Sequence, residues 1–135
     1  MDKQTILLVD DEAIILMSLV QELRVALGQS YRYETARSMR EARDLMAELV
    51  AEGVPLVACV SDWLMPGGRG DELLSEVRSA YPEAVLIIVT GYADDDDLER
   101  ACRDLGIAAR VNKPWGRMQI ARVLKAALPP GCSSL

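Results

Sequence analysis

The chain of 135 residues contains no histidine, and this absence excludes several kinds of chemistry. Without an imidazole there is no Ser-His-Asp or Cys-His catalytic set and no histidine-ligated zinc site. The chain also cannot carry a phosphohistidine of its own. Any reaction at this protein must therefore use carboxylates, hydroxyls, lysine or a hard metal ion.

Cysteines and long apolar runs are also scarce. The three cysteines, Cys59, Cys102 and Cys132, form no C-x-x-C pair, and an odd number does not make a disulfide framework. We therefore expect a reducing compartment. No apolar run approaches the ~18 residues of a membrane span, and the first apolar run is too short for a signal peptide. These features predict a soluble, cytoplasmic protein without a membrane partner.

Positive charge is in deficit, since 15 Lys and Arg face 21 Asp and Glu and the net charge is −6. A nucleic-acid surface normally needs clustered Lys and Arg, so direct nucleic-acid binding is not expected. Half of the residues are apolar, and the length is that of one globular domain. Residues 129–135 have the composition of a linker or a frayed terminus.

Short apolar runs alternate with longer amphipathic segments along the chain. The runs rich in leucine and β-branched residues predict five strands, at 6–9, 31–35, 56–60, 85–89 and 108–111. Amphipathic segments of helical period follow them and predict five helices. The second of these has a capping box of Ser38 and Glu41 and ends at Gly53. This alternation predicts an α/β fold with a parallel sheet.

Polar residues capable of chemistry follow four of the five predicted strands. They are Asp10, Asp11 and Glu12, then Ser61 and Asp62, then Thr90 and Gly91, and finally Asn112, Lys113 and Pro114. Ligands of parallel α/β sheets bind outside the carboxyl ends of the strands. Three carboxylates at one edge repel one another unless a cation lies between them, and Mg²⁺ prefers such oxygen ligands. Because a lysine and a threonine hydroxyl suit the oxygens of a transferring phosphoryl group, these residues predict a phosphoryl site.

Each of these residues taken alone also has an ordinary structural explanation. Asp10 and Asp11 could cap the first helix, Thr90 could end a strand, and Lys113 could be a solvated loop residue. Their conjunction at successive strand ends favours the functional interpretation. The acidic run 94–97 is different, because successive helical side chains point about 100° apart and cannot converge on one ion. We interpret it as the cap and first turn of the fourth helix.

Four motifs make the chain similar to the receiver domains of response regulators in two-component signalling. The motifs are ILLVDDE at 6–12, SDWLMPG at 61–67, VTGY at 89–92 and NKPW at 112–115. The resemblance covers residues 4–128, with 129–135 as a tail or the start of a linker. It implies a CheY-like, flavodoxin-like doubly wound sheet of five parallel strands in the order 2-1-3-4-5, with five helices.

The resemblance also implies a phosphoacceptor and a metal site. Asp62 would take a phosphoryl group from the phosphohistidine of a sensor histidine kinase or a histidine phosphotransfer protein. Asp11, Asp62 and the backbone carbonyl of Leu64 would bind Mg²⁺ directly, and Asp10 would act through water. The chain would catalyse only its own phosphorylation and dephosphorylation, and would be a signalling domain rather than an enzyme for other substrates.

Further residues would contact the phosphoryl group and relay its presence. Lys113 and the hydroxyl of Thr90 would bind phosphoryl oxygens, and the backbone N–H groups of Trp63 and Gly91 would complete the cradle. Phosphorylation would then remodel the surface formed by the fourth helix, the fifth strand and the fifth helix. The resemblance allows a dimer through that surface and leaves the output domain or downstream partner open.

Three features depart from the family pattern. Arg110 stands where Tyr or Phe is usual, three residues before the lysine, which puts the aromatic switch in doubt. Leu64 and Tyr92 flank the expected phosphoryl position without a carboxylate or amide to orient water, which predicts slow self-dephosphorylation. The loop 66–70 is unusually rich in glycine, and we interpret it as a plain turn.

Two other functions compete with this interpretation. A pseudo-receiver that binds partners without being phosphorylated is supported only by Arg110. An aspartyl-phosphate phosphatase of the haloacid-dehalogenase kind would use similar residues but needs a general acid two positions after the nucleophile, where this chain has Leu64.

Overall fold

A computed structural model describes residues 4–65, 68–91 and 96–128, so the predicted tail lies outside the described residues. Its main sheet has five strands: β1 Gln4–Val9, β2 Tyr31–Ala36, β3 Leu56–Asp62, β4 Val85–Thr90 and β5 Ala109–Asn112. All neighbouring strands are parallel and lie in the order β2-β1-β3-β4-β5. This confirms the predicted flavodoxin-like order.

Five α-helices connect or follow these strands, as predicted. They are α1 Ala13–Leu27, α2 Met39–Glu52, α3 Gly70–Ala80, α4 Asp96–Leu105 and α5 Gln119–Ala127. Within the described ranges, no helix combines the length and the apolar character that crossing a membrane requires. The first turn of α4 contains Asp96 and Asp97, as predicted, whereas residues 94 and 95 lie outside the described ranges.

The sheet separates two apolar cores, because successive side chains of a strand point to opposite faces. In β1, Leu7 and Val9 belong to one core, while Ile6 and Leu8 belong to the other. The first core is completed by α2, α3 and α4, and the second by α1 and α5. Both faces of the central strands are therefore covered, which explains their nearly continuous apolar sequences.

The ends of α2 follow the predicted local chemistry. The Ser38 side chain accepts a hydrogen bond from the backbone N–H of Glu41 at 3.1 Å, as in a helix N-cap. Gly53 ends the helix in the left-handed region at φ 68°, where a side chain would be strained. Both positions were predicted from sequence because capping depends on neighbouring residues only.

The segment after the third strand differs from the prediction. The strand continues through Ser61 and Asp62, so Asp62 is the last residue of β3 and pairs in register with Val89. Beyond it, Leu64–Met65 and Gly68–Arg69 form a short antiparallel pair, which the prediction of a plain turn at 66–70 did not include; residues 66 and 67 lie outside the described residues. The extension follows from the parallel ladder to β4, a tertiary contact that apolar content alone does not reveal.

Arg78 of α3 donates hydrogen bonds to carbonyls at the C-terminal end of α4. Its guanidinium donates to the carbonyls of Leu105 at 3.0 Å and Ala84 at 2.8 Å, and also to those of Pro82 and Gly106. These carbonyls include groups at the end of α4 that have no partner within the helix. Arg78 thus acts as a C-terminal cap supplied by a neighbouring helix.

We expect Arg78→Ala to lower the free energy of unfolding by about 2 to 3 kcal/mol, because several charge-assisted hydrogen bonds disappear together. Arg78→Lys keeps the charge but not the planar fork, and should recover less than half of this loss. Urea denaturation measures both. Arg103→Ala, at an exposed position of α4, is the control, and an equal loss in the two alanine variants would contradict the capping role.

Candidate functional site

The carboxyl ends of β1 and β3 bring three acids together. Asp10 follows β1 directly, and Asp62 ends the neighbouring strand β3. Asp10 and Asp62 are 4% and 8% exposed, and Asp11 is partly buried. One carboxylate oxygen of each residue lies within 4.8 Å of those of the other two. The structure thus assembles the acidic cluster that the positions of the strand ends indicated.

Lys113 lies against this cluster from the end of β5. Its Nζ atom is 2.9 Å from Oδ2 of Asp10 and 2.9 Å from Oδ2 of Asp62. A third carboxylate, that of Glu12, is 3.8 Å from the same Nζ atom. The backbone N–H of Lys113 donates to the Thr90 carbonyl at 2.8 Å, so the loop after β5 is anchored to the end of β4. The cis peptide bond between Lys113 and Pro114 begins that loop.

The charges in this cluster perturb one another. Burial raises the pKa of Asp62, and the negative charges of Asp10 and Asp11 raise it further, while Lys113 opposes the shift. For Lys113, burial by itself lowers the pKa, but the hydrogen bonds and charges of Asp10 and Asp62 outweigh burial and raise it. Lys113 therefore stays cationic at neutral pH, and an ionised Asp62 is held at an electrostatic cost.

Asp10 belongs to the cluster and also makes a local backbone contact, but it does not cap α1, because the N-cap residue is Glu12 and α1 has no side-chain cap hydrogen bond. Its Oδ1 atom accepts a hydrogen bond from the backbone N–H of Glu12 at 2.9 Å, just before α1 begins. Its Oδ2 atom pairs with Lys113. The local structural role and the cluster role are thus compatible, because each uses a different oxygen of the same carboxylate.

Thr90 and the backbone around Trp63 complete the edge of the sheet. Thr90 is the last residue of β4 and is fully buried. Gly91 follows it at an exposed position. The N–H of Trp63 donates to the carbonyl of Val89 at 2.8 Å, so it could bind a phosphoryl oxygen only by exchanging this hydrogen bond.

The donor set fits a divalent magnesium ion. Three carboxylates converge on one region, and Lys113 is the cation that contacts two of them. This leaves an excess of negative charge that a divalent cation would balance. Mg²⁺ takes hard oxygen ligands and commonly binds through one or two carboxylates and several waters. The acidic cluster is therefore compatible with the predicted Mg²⁺, which would reduce the repulsion that raises the pKa of Asp62.

Residues 6–125, which include this cluster, match the sequence profile of the family described as response regulator receiver domain. The chain belongs to this family. Receiver domains are the signalling domains of response regulators in two-component systems. The predicted family membership is thus confirmed over nearly the whole chain.

Known proteins similar to this receiver domain support the same assignment. The hydrogenase transcriptional regulatory protein HoxA of Cupriavidus necator is 39% identical over 115 residues, which are 84% of this chain and 22% of HoxA. The sensor kinase CckA of Brucella abortus is 36% identical over 127 residues, 92% of this chain and 12% of CckA. The chain therefore spans less than a quarter of either relative.

A solved structure shows the same fold. It is the signal receiver domain of an HD domain-containing protein from Pseudomonas fluorescens, with a TM-score of 0.78 and 27% sequence identity. The similarity covers 93% of this chain and 94% of that one. The described arrangement of strands and helices is thus that of a receiver domain.

Two residues near Asp62 were not identified from the sequence of this receiver domain. The N–H of Gly70 donates to the Trp63 carbonyl at 2.7 Å, and a Cβ atom at Gly70 would lie 2.4 Å from the Asp62 carbonyl oxygen. Arg69 places its guanidinium over the ring of Trp63. We interpreted the glycine-rich loop as a plain turn. Its glycines could also have signalled a close approach between backbone segments, but the sequence does not indicate which glycine lies there.

The remaining departures from the family pattern are located as follows. Arg110 lies in β5 opposite Ile88 and is exposed. Leu64 is 43% exposed, two residues after Asp62. Tyr92 lies outside the described residues. Leu64 is thus exposed just after the end of β3, and its place beside a phosphoryl group stays a prediction.

Proposed function

We propose that this receiver domain is a phosphoacceptor whose acceptor is Asp62. The donor would be a phosphohistidine on a sensor histidine kinase or a histidine phosphotransfer protein. The observation that carries the proposal is the buried carboxylate of Asp62, hydrogen-bonded to Lys113 at 2.9 Å beside the carboxylates of Asp10 and Asp11. A carboxylate nucleophile, a fixed ammonium group and a metal-compatible acid cluster suit phosphoryl transfer.

The transfer exchanges one bond at phosphorus for another. A carboxylate oxygen of Asp62 attacks the phosphorus atom, the phosphorus–nitrogen bond to the donor histidine breaks, and the imidazole leaves with the bonding electron pair and takes up a proton. The product is an acyl phosphate on Asp62. Lys113 is already held beside Asp62, so its charge lies where it can stabilise the phosphoryl oxygens.

The roles of the other residues follow the family pattern. Asp11, Asp62 and the backbone carbonyl of Leu64 would hold Mg²⁺, with Asp10 acting through water. Bound Mg²⁺ would neutralise negative charge on the phosphoryl oxygens and on the cluster. Thr90 would donate its hydroxyl to a phosphoryl oxygen, and its position at the end of β4 links the phosphoryl group to the segment before α4.

The signal would leave through the surface of α4, β5 and α5. Receiver domains act with sensor kinases and output domains, and the relatives named above include a transcriptional regulator and a sensor kinase. Because these relatives differ in output, we assign no output activity to this chain. A pseudo-receiver, which would bind partners without phosphorylation, is favoured by Arg110 alone. The acid cluster paired with Lys113 favours the phosphoacceptor.

A phosphodonor experiment tests this proposal. The protein is incubated with acetyl phosphate and Mg²⁺, and its intact mass is measured with and without EDTA. We expect a gain of one phosphoryl group that EDTA prevents and that hydroxylamine removes, since hydroxylamine cleaves acyl phosphates. If neither acetyl phosphate nor a histidine kinase gives an adduct, the phosphoacceptor function is excluded and the pseudo-receiver is favoured.

We expect Leu64→Asn to shorten the lifetime of the phosphorylated protein by roughly threefold to tenfold. An amide at this exposed rim position would orient an attacking water, although it contributes less than the roughly 100-fold or more of a full general base. The decay of the adduct is followed by intact mass after removal of the donor. Leu64→Met, which introduces no hydrogen-bonding amide, is the control, and an equal lifetime in the two variants would contradict the explanation.

A further inference from the structure

Arg69 connects the segment after Asp62 to two helices. Its Nη1 atom is 2.7 Å from Oδ2 of Asp97, in the first turn of α4, and its Nη2 atom is 3.2 Å from Oδ2 of Asp71 in α3. Its guanidinium carbon lies 5.3 Å from the ring centre of Trp63, a cation–π distance. One side chain thus bridges the acceptor segment, α3 and α4.

The Trp63 ring is the link between Arg69 and the phosphoacceptor. Trp63 directly follows Asp62 and is fully buried. Its backbone N–H and carbonyl are both held, by Val89 and by Gly70. A displacement of the backbone at Asp62 therefore moves the aromatic surface on which the Arg69 guanidinium rests, since a closely packed side chain cannot move independently.

The ion pair between Arg69 and Asp97 can separate without isolating either charge. Asp97 also lies 3.3 Å from Arg100 through its other oxygen, and Arg69 keeps Asp71. The side chains of Arg69 and Asp97 are 40% and 47% exposed, so solvent screens their attraction. Joined and separated arrangements are therefore close in free energy, as a two-state element requires.

We propose that Arg69 is a positioning residue that couples Asp62 to α4. The inference rests on the proposed phosphoacceptor function. In the unphosphorylated protein the ion pair with Asp97 holds the start of α4 beside the acceptor segment. Phosphorylation adds negative charge at Asp62 and draws the end of β4, where Thr90 lies, toward the phosphoryl group. Trp63 and Arg69 shift in response, and α4 is released. This connection provides a route from the site to α4 that does not use an aromatic residue at position 110.

Amide hydrogen exchange of α4 tests the coupling. In the unphosphorylated state we expect Arg69→Gln and Asp97→Asn each to raise exchange in the first turns of α4 by about threefold, the size of an exposed ion pair. In the double variant the increase should equal that of one single variant, because each substitution breaks the ion pair that joins Arg69 to α4. Phosphorylation of the unsubstituted protein should raise exchange in the same segment, and in the variants it should add little.

Glu99→Gln is the matched control, because it also removes one negative charge from α4, at an exposed position. Two results would overturn the coupling. One is an equal rise of exchange in this control and in Asp97→Asn, and the other is that the increases of the two single variants add in the double variant. A phosphorylated protein whose α4 exchanges as before would also overturn it while leaving the phosphoacceptor function intact. Absence of any adduct would instead remove the phosphoacceptor function, and the coupling with it.

Discussion

Asp62→Asn is expected to abolish the phosphoryl adduct while leaving the receiver domain folded. An amide is not a competent nucleophile, and we expect occupancy below about 1% under conditions that phosphorylate the unsubstituted protein. Intact mass after incubation with acetyl phosphate and Mg²⁺ measures the occupancy. One oxygen of each neighbouring acid is within 4.8 Å of an Asp62 carboxylate oxygen, so the same measurement also tests Asp10 and Asp11 as acceptors.

The fold should survive this substitution for an electrostatic reason. The pKa of Asp62 is raised by burial and by the nearby acids, against the effect of Lys113. A raised carboxyl pKa means that the ionised form destabilises the folded state at pH 7 relative to the protonated form, and this cost disappears as the pH falls through the raised pKa. Asparagine carries no charge, so the free energy of unfolding at pH 7 should be equal or higher in the variant.

Asp44→Asn is the matched control, at an exposed position of α2 that does not belong to the acidic cluster. It should be phosphorylated like the unsubstituted protein. An adduct that persists in Asp62→Asn with the same yield would show that another residue is the acceptor. Loss of the adduct in both variants would show that the assay, rather than the acceptor, had changed.

Gly70→Ala is expected to destabilise the receiver domain by about 2 to 4 kcal/mol, in the range of severe overpacking. The added Cβ atom would lie 2.4 Å from the backbone oxygen of Asp62 and 3.2 Å from Oγ of Ser61. The backbone of Asp62, which pairs with Val89 in β4, cannot move aside as a flexible side chain can. Either α3 must shift at its first residue or the end of β3 must move, and the second response would displace the acceptor itself.

Urea denaturation measures this loss, and the phosphorylation rate of the folded fraction shows whether the acceptor has moved. Gly116→Ala is the control, because its Cβ atom would make only an ordinary contact at 3.7 Å with the Gln119 side chain. We expect the control to lie within about 0.5 kcal/mol of the unsubstituted protein, like other surface substitutions. A similarly small change at Gly70 would contradict the packing explanation.

The composition of the acidic site could be predicted from the sequence because of the way a parallel sheet is built. All strands present their carboxyl ends at one edge, so residues that follow the apolar runs meet there whatever their separation along the chain. Asp10 and Asp62 are distant in sequence but both contact the ammonium group of Lys113. Family membership was also predicted correctly, because the four motifs lie at these strand ends.

Contacts across the loops could not be predicted in this way. Arg69 pairs with Asp97 across 28 positions of the chain, and Arg78 caps a helix from a neighbouring one. No periodicity relates such residues, since their approach depends on how α3 and α4 pack against the sheet. For the same reason, the glycine-rich run suggested a turn without showing that Gly70 lies against the backbone of Asp62.

By itself, therefore, the sequence determined the order of elements, the parallel sheet and the set of reactive groups at its edge. These properties depend on local periodicity and on the topology of parallel strands. The tertiary structure alone decided which groups touch, because distances such as that between Lys113 and Asp62 depend on the packing of separate elements. It is this packing that pairs Lys113 with Asp62 and places Arg69 between Trp63 and α4.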